Sequence, residues 1–384
     1  MERLRWCTGE VRWGSTQLYE LETAVDSHFC FRVQFKTSPW NNDKQPWLRP
    51  TTSTRSPSLA YDLALNYPPY SADHEQASGQ VGSTILKHLL ESTQDFKVTV
   101  VTRTDSTATF PSNPKVTVKK GSYTDGPFLQ DAFKDQHVVI FALHFMAQGA
   151  QIGMIDEAAK AGVKWIVPNE YAGDGMNKAM AEGVPVFVPK KQAREHIDEL
   201  SKTHEGLKWI GVATNPFFEP FLIKSAKIFG IDPEFHTATI YPDGGAFNSS
   251  TMDRIGLAVT RMLSLPISDH SDSRASLQHY ANNFLYVSSF CVTQKQILQA
   301  FQKAKGESEA DWKVSQEKTI KQWVQECQEG LKAGNMQAGW GLTMCYYMGD
   351  GMGGNYQEKA EKDQKILGLQ EENFEEAVKR ALKA

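Results

Sequence analysis

Gly79 and Gly82, with Gln80 and Val81 between them, open a stretch in which Val81, Ile85, Leu86, Leu89 and Leu90 recur at helical spacing. A helix start free of side-chain bulk is what the phosphates of a dinucleotide require. Gly79 lets backbone N–H groups approach a pyrophosphate, Gly82 lets the helix pack close to a strand, and the helix N-terminus offers a partial positive charge. The helix leads to the apolar Val98-Thr99-Val100-Val101, and Arg103 follows with Thr104 beside it. At the place where an NAD-specific site carries Asp or Glu, an arginine reads as a partner for the 2′-phosphate of NADP.

Lys190 is the residue suited to proton transfer. It starts a helix after Val186-Phe187-Val188-Pro189, which would project it toward a site at the strand ends. Burial and a helix N-terminus both lower a lysine's pKa, and a proton donor works best when its pKa lies near the operating pH. The same position, beside Lys191, also fits an exposed lysine. His144, at the C-terminal end of an apolar run where a ligand could meet it, reads sooner as a solvent-facing loop residue, and His196 as a solvated helix residue rather than a catalyst; neither has neighbours at metal-ligand spacing. Gly349-Asp350-Gly351-Met352-Gly353-Gly354 fits a phosphate-loop pattern, but the chain offers no further strand after it, so it reads as a glycine-rich loop.

The elements that must hold these residues alternate. Apolar runs at 97–102, 116–119, 136–143, 163–168 and 207–213 read as strands, with helices over 127–134, 151–161 and 190–201 between them. This pattern predicts a Rossmann-like, doubly wound α/β fold with a parallel sheet, in which ligands bind at the C-terminal ends of the strands. Residues from about 217 to 384 are less regular and read as a smaller α+β lobe that covers a substrate. Their polar end, 357–384, reads as a helical tail.

The beginning of the chain departs from this pattern. Gln76 stands where the tight turn off a first strand wants glycine, and the segment before it contains Pro68, Pro69, Asp73 and Glu75. Proline removes a ladder donor and buried carboxylates are costly, so this segment is not a central strand. Phe29–Phe35 alternates as an edge strand does and could add to the sheet in the vacant place, but its linker to Gln76 is far longer than a βα turn. Residues 1–75 therefore read as an appendage, largely disordered, ahead of a nucleotide-binding domain over 76–384.

Composition narrows the function. A net charge of −4 with dispersed lysines and arginines gives no electrostatic footprint for nucleic acid. Five cysteines without C-x-x-C spacing argue against a disulfide framework and a zinc site. The N-terminus lacks the apolar core of a signal peptide and no apolar run is long enough to span a bilayer, which points to a cytoplasmic protein without a membrane partner.

Taken in order, Gly79-Gln80-Val81-Gly82, Val101-Thr102-Arg103, Val163–Tyr171, Lys190–Ile197, Thr214-Asn215-Pro216-Phe217 and Asn283–Ser288 resemble the NmrA-like and isoflavone reductase-like group of atypical short-chain dehydrogenases, its fungal branch most of all. The resemblance runs from about residue 77 to the C-terminus. It implies NADPH as cofactor and reduction of a small organic metabolite, often aromatic or specialised. By that likeness Gly79, Gln80, Val81 and Gly82 face the diphosphate, and Arg103 with Thr104 holds the 2′-phosphate. Phe141 to Leu143 and Asn169 to Tyr171 pass under the ribose and nicotinamide, Asn215 to Phe217 wall the nicotinamide, and Lys190, which with Arg194 matches the family's Lys-x-x-x-Arg pattern, is the catalytic lysine, with Lys191 as an off-register alternative. No tyrosine here has lysine four residues later, so the phenol and ammonium pair of ordinary short-chain dehydrogenases is not available. The family also includes cofactor-sensing regulators that bind protein partners, which is the alternative to an enzyme.

Overall fold

The computed structural model describes residues 29–35, 72–144 and 148–383. Its first half runs β1 (Phe29–Phe35), α1 (Ala72–Glu91), β2 (Phe96–Thr102), β3 (Val116–Lys120), α2 (Gly126–Phe133), β4 (Val138–Ala142), α3 (Gln148–Lys160), β5 (Trp165–Val167), α4 (Lys178–Gly183), α5 (Val188–Leu200) and β6 (Lys208–Ala213). The second half runs β7 (Ile231–Asp232), β8 (Thr237–Thr239), β9 (Phe247–Ser249), α6 (Met252–Leu263), β10 (Asn283–Tyr286), β11 (Phe290–Val292), α7 (Gln294–Lys305), β12 (Lys313–Ser315), α8 (Ile320–Lys332), α9 (Ala338–Met348), α10 (Gln357–Leu367) and α11 (Phe374–Lys383).

Seven strands form one sheet in the order β10-β6-β5-β4-β1-β2-β3, which is the doubly wound α/β arrangement. The strands read as continuous apolar runs because both faces are covered. Successive residues of β4 go to opposite sides: Val138 and Ile140 pack with Val81, Ile85 and Leu89 of α1 and Ile255 and Val259 of α6, whereas Val139 and Phe141 pack with Leu129, Phe133, Met154, Ile155 and Ile197 of the helices on the other face.

The place of the first strand is filled by one segment from within residues 1–75. β1 lies between β4 and β2 and is antiparallel to both, with Phe29 opposite Ala142, Cys30 opposite Val101 and Phe35 opposite Phe96. Cys30 and Val33 are fully buried, on opposite faces of the sheet. The linker that argued against a βα turn is what permits this: a connection through residues 36–71 imposes no direction, so the strand can enter head to tail and still complete both ladders. The Pro/Ser/Thr-rich run after it and the tryptophans ahead of it lie outside the described residues.

Beyond β6 part of the chain builds a second lobe, while α6 and β10 belong to the main sheet and its core. A three-stranded sheet, β12-β8-β7, and the β11-β9 pair enclose a core of Phe218, Phe229, Phe247, Phe301, Trp312 and Met348. The helical tail consists of two helices, because Gly368 ends α10 in the left-handed conformation at φ 62°. α10 returns to the main sheet, where Asp363 accepts from the Tyr286 backbone N–H at 2.7 Å and the Tyr280 hydroxyl at 3.2 Å. No helix among the described residues is long and apolar enough to cross a membrane.

Val33 is buried against α1 and β4, so Val33→Ala should cost about 2 kcal/mol or more, and Val33→Asp should prevent folding. Urea denaturation of the full chain measures this; unchanged midpoints in both variants would remove Phe29–Phe35 from the sheet.

Candidate active site

The loop after β5 carries most of the candidate site. Pro168 through Tyr171 leaves the C-terminal edge of the sheet, the edge at which doubly wound folds bind ligands. Asn169 fixes it there. Its side chain bridges the backbone of the neighbouring strand end, accepting from Leu143 N–H at 3.0 Å and donating to Leu143 C=O at 2.9 Å, while its own N–H donates to Gln151 Oε1 at 2.6 Å. Two segments named separately in the sequence, Phe141–Leu143 and Asn169–Tyr171, are thus one unit. Gln151, from α3, is a member that the sequence did not single out, since a polar residue in an amphipathic helix carries no signal of where it points.

Lys190 meets this unit from α5. A one-turn 3₁₀ helix, Pro185–Phe187, leads into α5, and Pro189 in the first turn starts α5 without wasting an N–H. Lys190 is only 6% exposed, and its ammonium donates to the carbonyls of Asn169 and Glu170, both at 2.6 Å. The exposed-lysine alternative is therefore wrong: Lys191, not Lys190, is the solvent-facing residue, near Glu182 and Glu195. Burial, aided by Arg194, pushes the Lys190 pKa down to about 8 against the opposing pull of Glu170. Arg194, one turn along the same face, donates to Glu170 Oε1 and, at 3.0 Å, to Gly175 C=O.

A second wall follows β6. Asn215 adopts φ 52° and Tyr171 φ 24°, left-handed conformations that are costly for side chains with a Cβ. They are held by Thr214 and Asn215 N–H groups donating to Ala172 C=O at 2.8 and 2.9 Å, and by Asn215 Nδ2 donating to Gly354 C=O at 2.6 Å. Gly354 must be glycine, because a Cβ there would sit 1.8 Å from Tyr347 O. The glycine-rich 349–354 loop is thus a structural support for Asn215. Phe217 packs under α1 and α6 beside Phe221, ring centroids 5.8 Å apart, whereas Phe218 turns into the core of the second lobe, as adjacent residues must.

The phosphate end differs from the sequence expectation. Because α1 begins at Ala72, Gly79, Gln80, Val81 and Gly82 lie inside the helix rather than at its mouth, and the Gly79 carbonyl accepts from Ser83 Oγ at 2.8 Å. Val81 is a core residue. The strand in the first position enters the sheet at the ligand edge and leaves at the opposite one, so no tight turn from it feeds the helix. Arg103 does stand just beyond β2, with its side chain 32% exposed and its Nε 3.4 Å from Asp105. His144 is buried rather than solvent-facing. His196 is a helix-to-helix tie, its Nε2 2.6 Å from Asp156 Oδ1.

Three buried polar atoms of these two walls have no hydrogen-bond partner among the described residues: Glu170 Oε2, Tyr171 OH and Asn215 Oδ1. Such atoms cost free energy unless something completes them, so the walls fit a polar ring substituent such as a carboxamide. At the lysine end these unpartnered atoms are compatible in type with the carboxamide of a nicotinamide nucleotide. At the diphosphate end the family's glycine turn is not formed.

The NmrA-like family model matches residues 76–220. Over that stretch, which is less than half of its length, the chain is similar to the NmrA-like family. Across 80% of its length it is 28% identical to the oxidoreductase aprR of Aspergillus flavus, covering 97% of that protein. Solved structures agree on the fold. The pinoresinol-lariciresinol and phenylcoumaran benzylic ether reductase structures superpose with a TM-score of 0.57 at 16% identity, covering 78% of this chain and 95% of theirs. The Citrobacter sp. triphenylmethane reductase complexed with NADP(H) gives 0.55 at 18%, covering 79% and 98%. The NmrA-like match starts at residue 76, so the strand that completes this sheet lies ahead of it.

Asn169→Ala would leave the buried N–H and C=O of Leu143 without partners, at a cost of about 2–4 kcal/mol. A thermal melt reads this directly. A variant as stable as the parent would show that the two strand ends are held by something other than this side chain.

Proposed function

We propose that the chain is an NADPH-dependent reductase of a small organic metabolite, with Lys190 as proton donor. The observation that carries this reading is a buried ammonium at the ligand edge of the sheet with two N–H groups engaged by carbonyls and a third left over. The oxidoreductase name of the relative from Aspergillus flavus supports the class of activity. The NADP(H) complex of the triphenylmethane reductase supports the class of cofactor.

When bound, the nicotinamide would supply a hydride. Asn169, Tyr171, Asn215 and Phe217 would hold its ring region, with Leu143 below, and Arg103 with Thr104 would take the 2′-phosphate. Gly79, Gln80, Val81 and Gly82 are not assigned to the diphosphate, since their place inside α1 engages their amides in the helix. Lys190 has its ammonium fixed by the Asn169 and Glu170 carbonyls, so the remaining N–H has a set direction. Negative charge that develops on a substrate oxygen or carbon would be met by that N–H, and the proton transferred from Nζ. The pKa near 8 leaves the lysine protonated at neutral pH and a willing donor.

Purified protein titrated with NADPH, followed by nicotinamide fluorescence, should show saturable binding, and oxidation of NADPH once an acceptor is supplied from a panel of quinones and aromatic enones. Lys190→Ala should keep the binding and lower kcat by about 10²-fold or more; an undiminished rate would remove Lys190 from the chemistry. Saturable binding with no turnover of any acceptor in the parent chain would instead mark a cofactor sensor. Because the donor must be protonated, kcat should be level below about pH 8 and fall tenfold per unit above it. Arg103→Ala should weaken NADPH and leave NADH unchanged, narrowing their ratio by about 10-fold or more through loss of a charge-assisted bond. An unchanged ratio would free Arg103 from the 2′-phosphate.

A further inference from the structure

We propose that Glu170 and Arg194 are positioning residues for Lys190: a buried ion pair one helical turn away that fixes the carbonyls on which the ammonium rests and sets the field around it. The inference rests on the reading of Lys190 as proton donor, but it is about this chain's own residues and can fail separately.

The geometry carries it. Glu170 offers its backbone carbonyl to Lys190 and its side-chain carboxylate to Arg194, so one residue links both cations. Arg194 also donates to Gly175 C=O at 3.0 Å, which ties the loop at residues 170 and 175 to one guanidinium. Planar and forked, that group also lies against two aromatic rings, its carbon 5.6 Å from the centre of Trp209 and 5.2 Å from that of Phe284. Gly175 leaves room for this, since a Cβ there would lie 2.9 Å from Arg194 Nη1 and 2.6 Å from Phe284. The loop cannot shift without breaking the pair, and Lys190 cannot shift without leaving the loop.

Among the described residues, two charges act on Lys190. Glu170 faces it from the β5 loop and Arg194 from its own helix. Asp174, further along the loop, is engaged by Lys359 at 2.7 Å and the Tyr286 hydroxyl at 3.0 Å, and Lys191 faces solvent near Glu182 and Glu195. Tyr171, next to Glu170 in the same loop, has its phenol pKa pushed well up by burial, so it stays neutral throughout the range tested. The two members of the pair therefore act on the lysine in opposite senses: the carboxylate favours its protonated form and the guanidinium disfavours it.

The test is the titration of Lys190 itself, read without turnover. Protein carrying ¹³C at the lysine ε-carbons gives a ¹H–¹³C spectrum in which the Lys190 resonance is the one missing from Lys190→Ala. In the parent it should titrate near pH 8. In Glu170→Gln the midpoint should move down, and in Arg194→Gln up, each by about one unit or more. Midpoints that stay with the parent in folded variants, or that move in the same direction, would overturn the proposal. Should either variant not fold, Arg194→Lys decides: it keeps the charge but not the fork, so the midpoint should stay while kcat falls several-fold at unchanged KM. Parental kcat in Arg194→Lys would overturn it. If Lys190→Ala turns over normally, the catalytic reading fails, whereas the spectra still report whether the pair controls the lysine.

Discussion

An ammonium taken out of water needs acceptors, and the site of this chain is organised by how Lys190 finds them. Two main-chain carbonyls, not a carboxylate in contact, accept its protons. Carbonyl dipoles stabilise the charged form less than a full negative charge would, so the lysine stays near the point where it can part with a proton. Everything that fixes those carbonyls then becomes part of the site: the Asn169 amide on Leu143, the Gln151 side chain on Asn169 N–H, and the guanidinium beyond Glu170. The strained backbone at Tyr171 follows from the same requirement, because a loop that must present successive carbonyls to one cation has little freedom at its next residue.

Much of the α/β frame was legible because a sheet covered on both sides needs uninterrupted apolar runs, and those around Ile140, Ile166 and Val212 have no other reading. Lys190 was legible as a residue type at a helix start, and its partner Arg194 as a neighbour on the same face. Its burial was not, since Lys190 and Lys191 look alike in sequence and differ only in which way α5 turns them. Gln151 and Gly175 were invisible for a related reason: each acts through a main-chain atom of a distant residue, and periodicity carries no record of that.

The failure at the start of the chain has a different cause. Sequence reasoning looks for strand, tight turn and helix in direct succession, and Gln76 with the prolines before it breaks that succession. Two strand edges left open between β2 and β4 would expose a full row of unpaired amides on each, which is a stronger demand than local order. Phe29–Phe35 meets the demand from a distance and in the reverse direction. The glycine pair is then relieved of a turn it no longer makes and becomes part of a longer helix.

That reversed strand also fixes an order of events as the chain is made. It leaves the ribosome before any other described element, yet both of its neighbours, Phe96–Thr102 and Val138–Ala142, are synthesised later. Until the second of them emerges there is no slot to enter, and the strand must wait as an uncommitted amphipathic ribbon whose partners are far away along the chain. Assembly of the central sheet is therefore a closing step, completed from the N-terminus inward only after the middle of the protein exists.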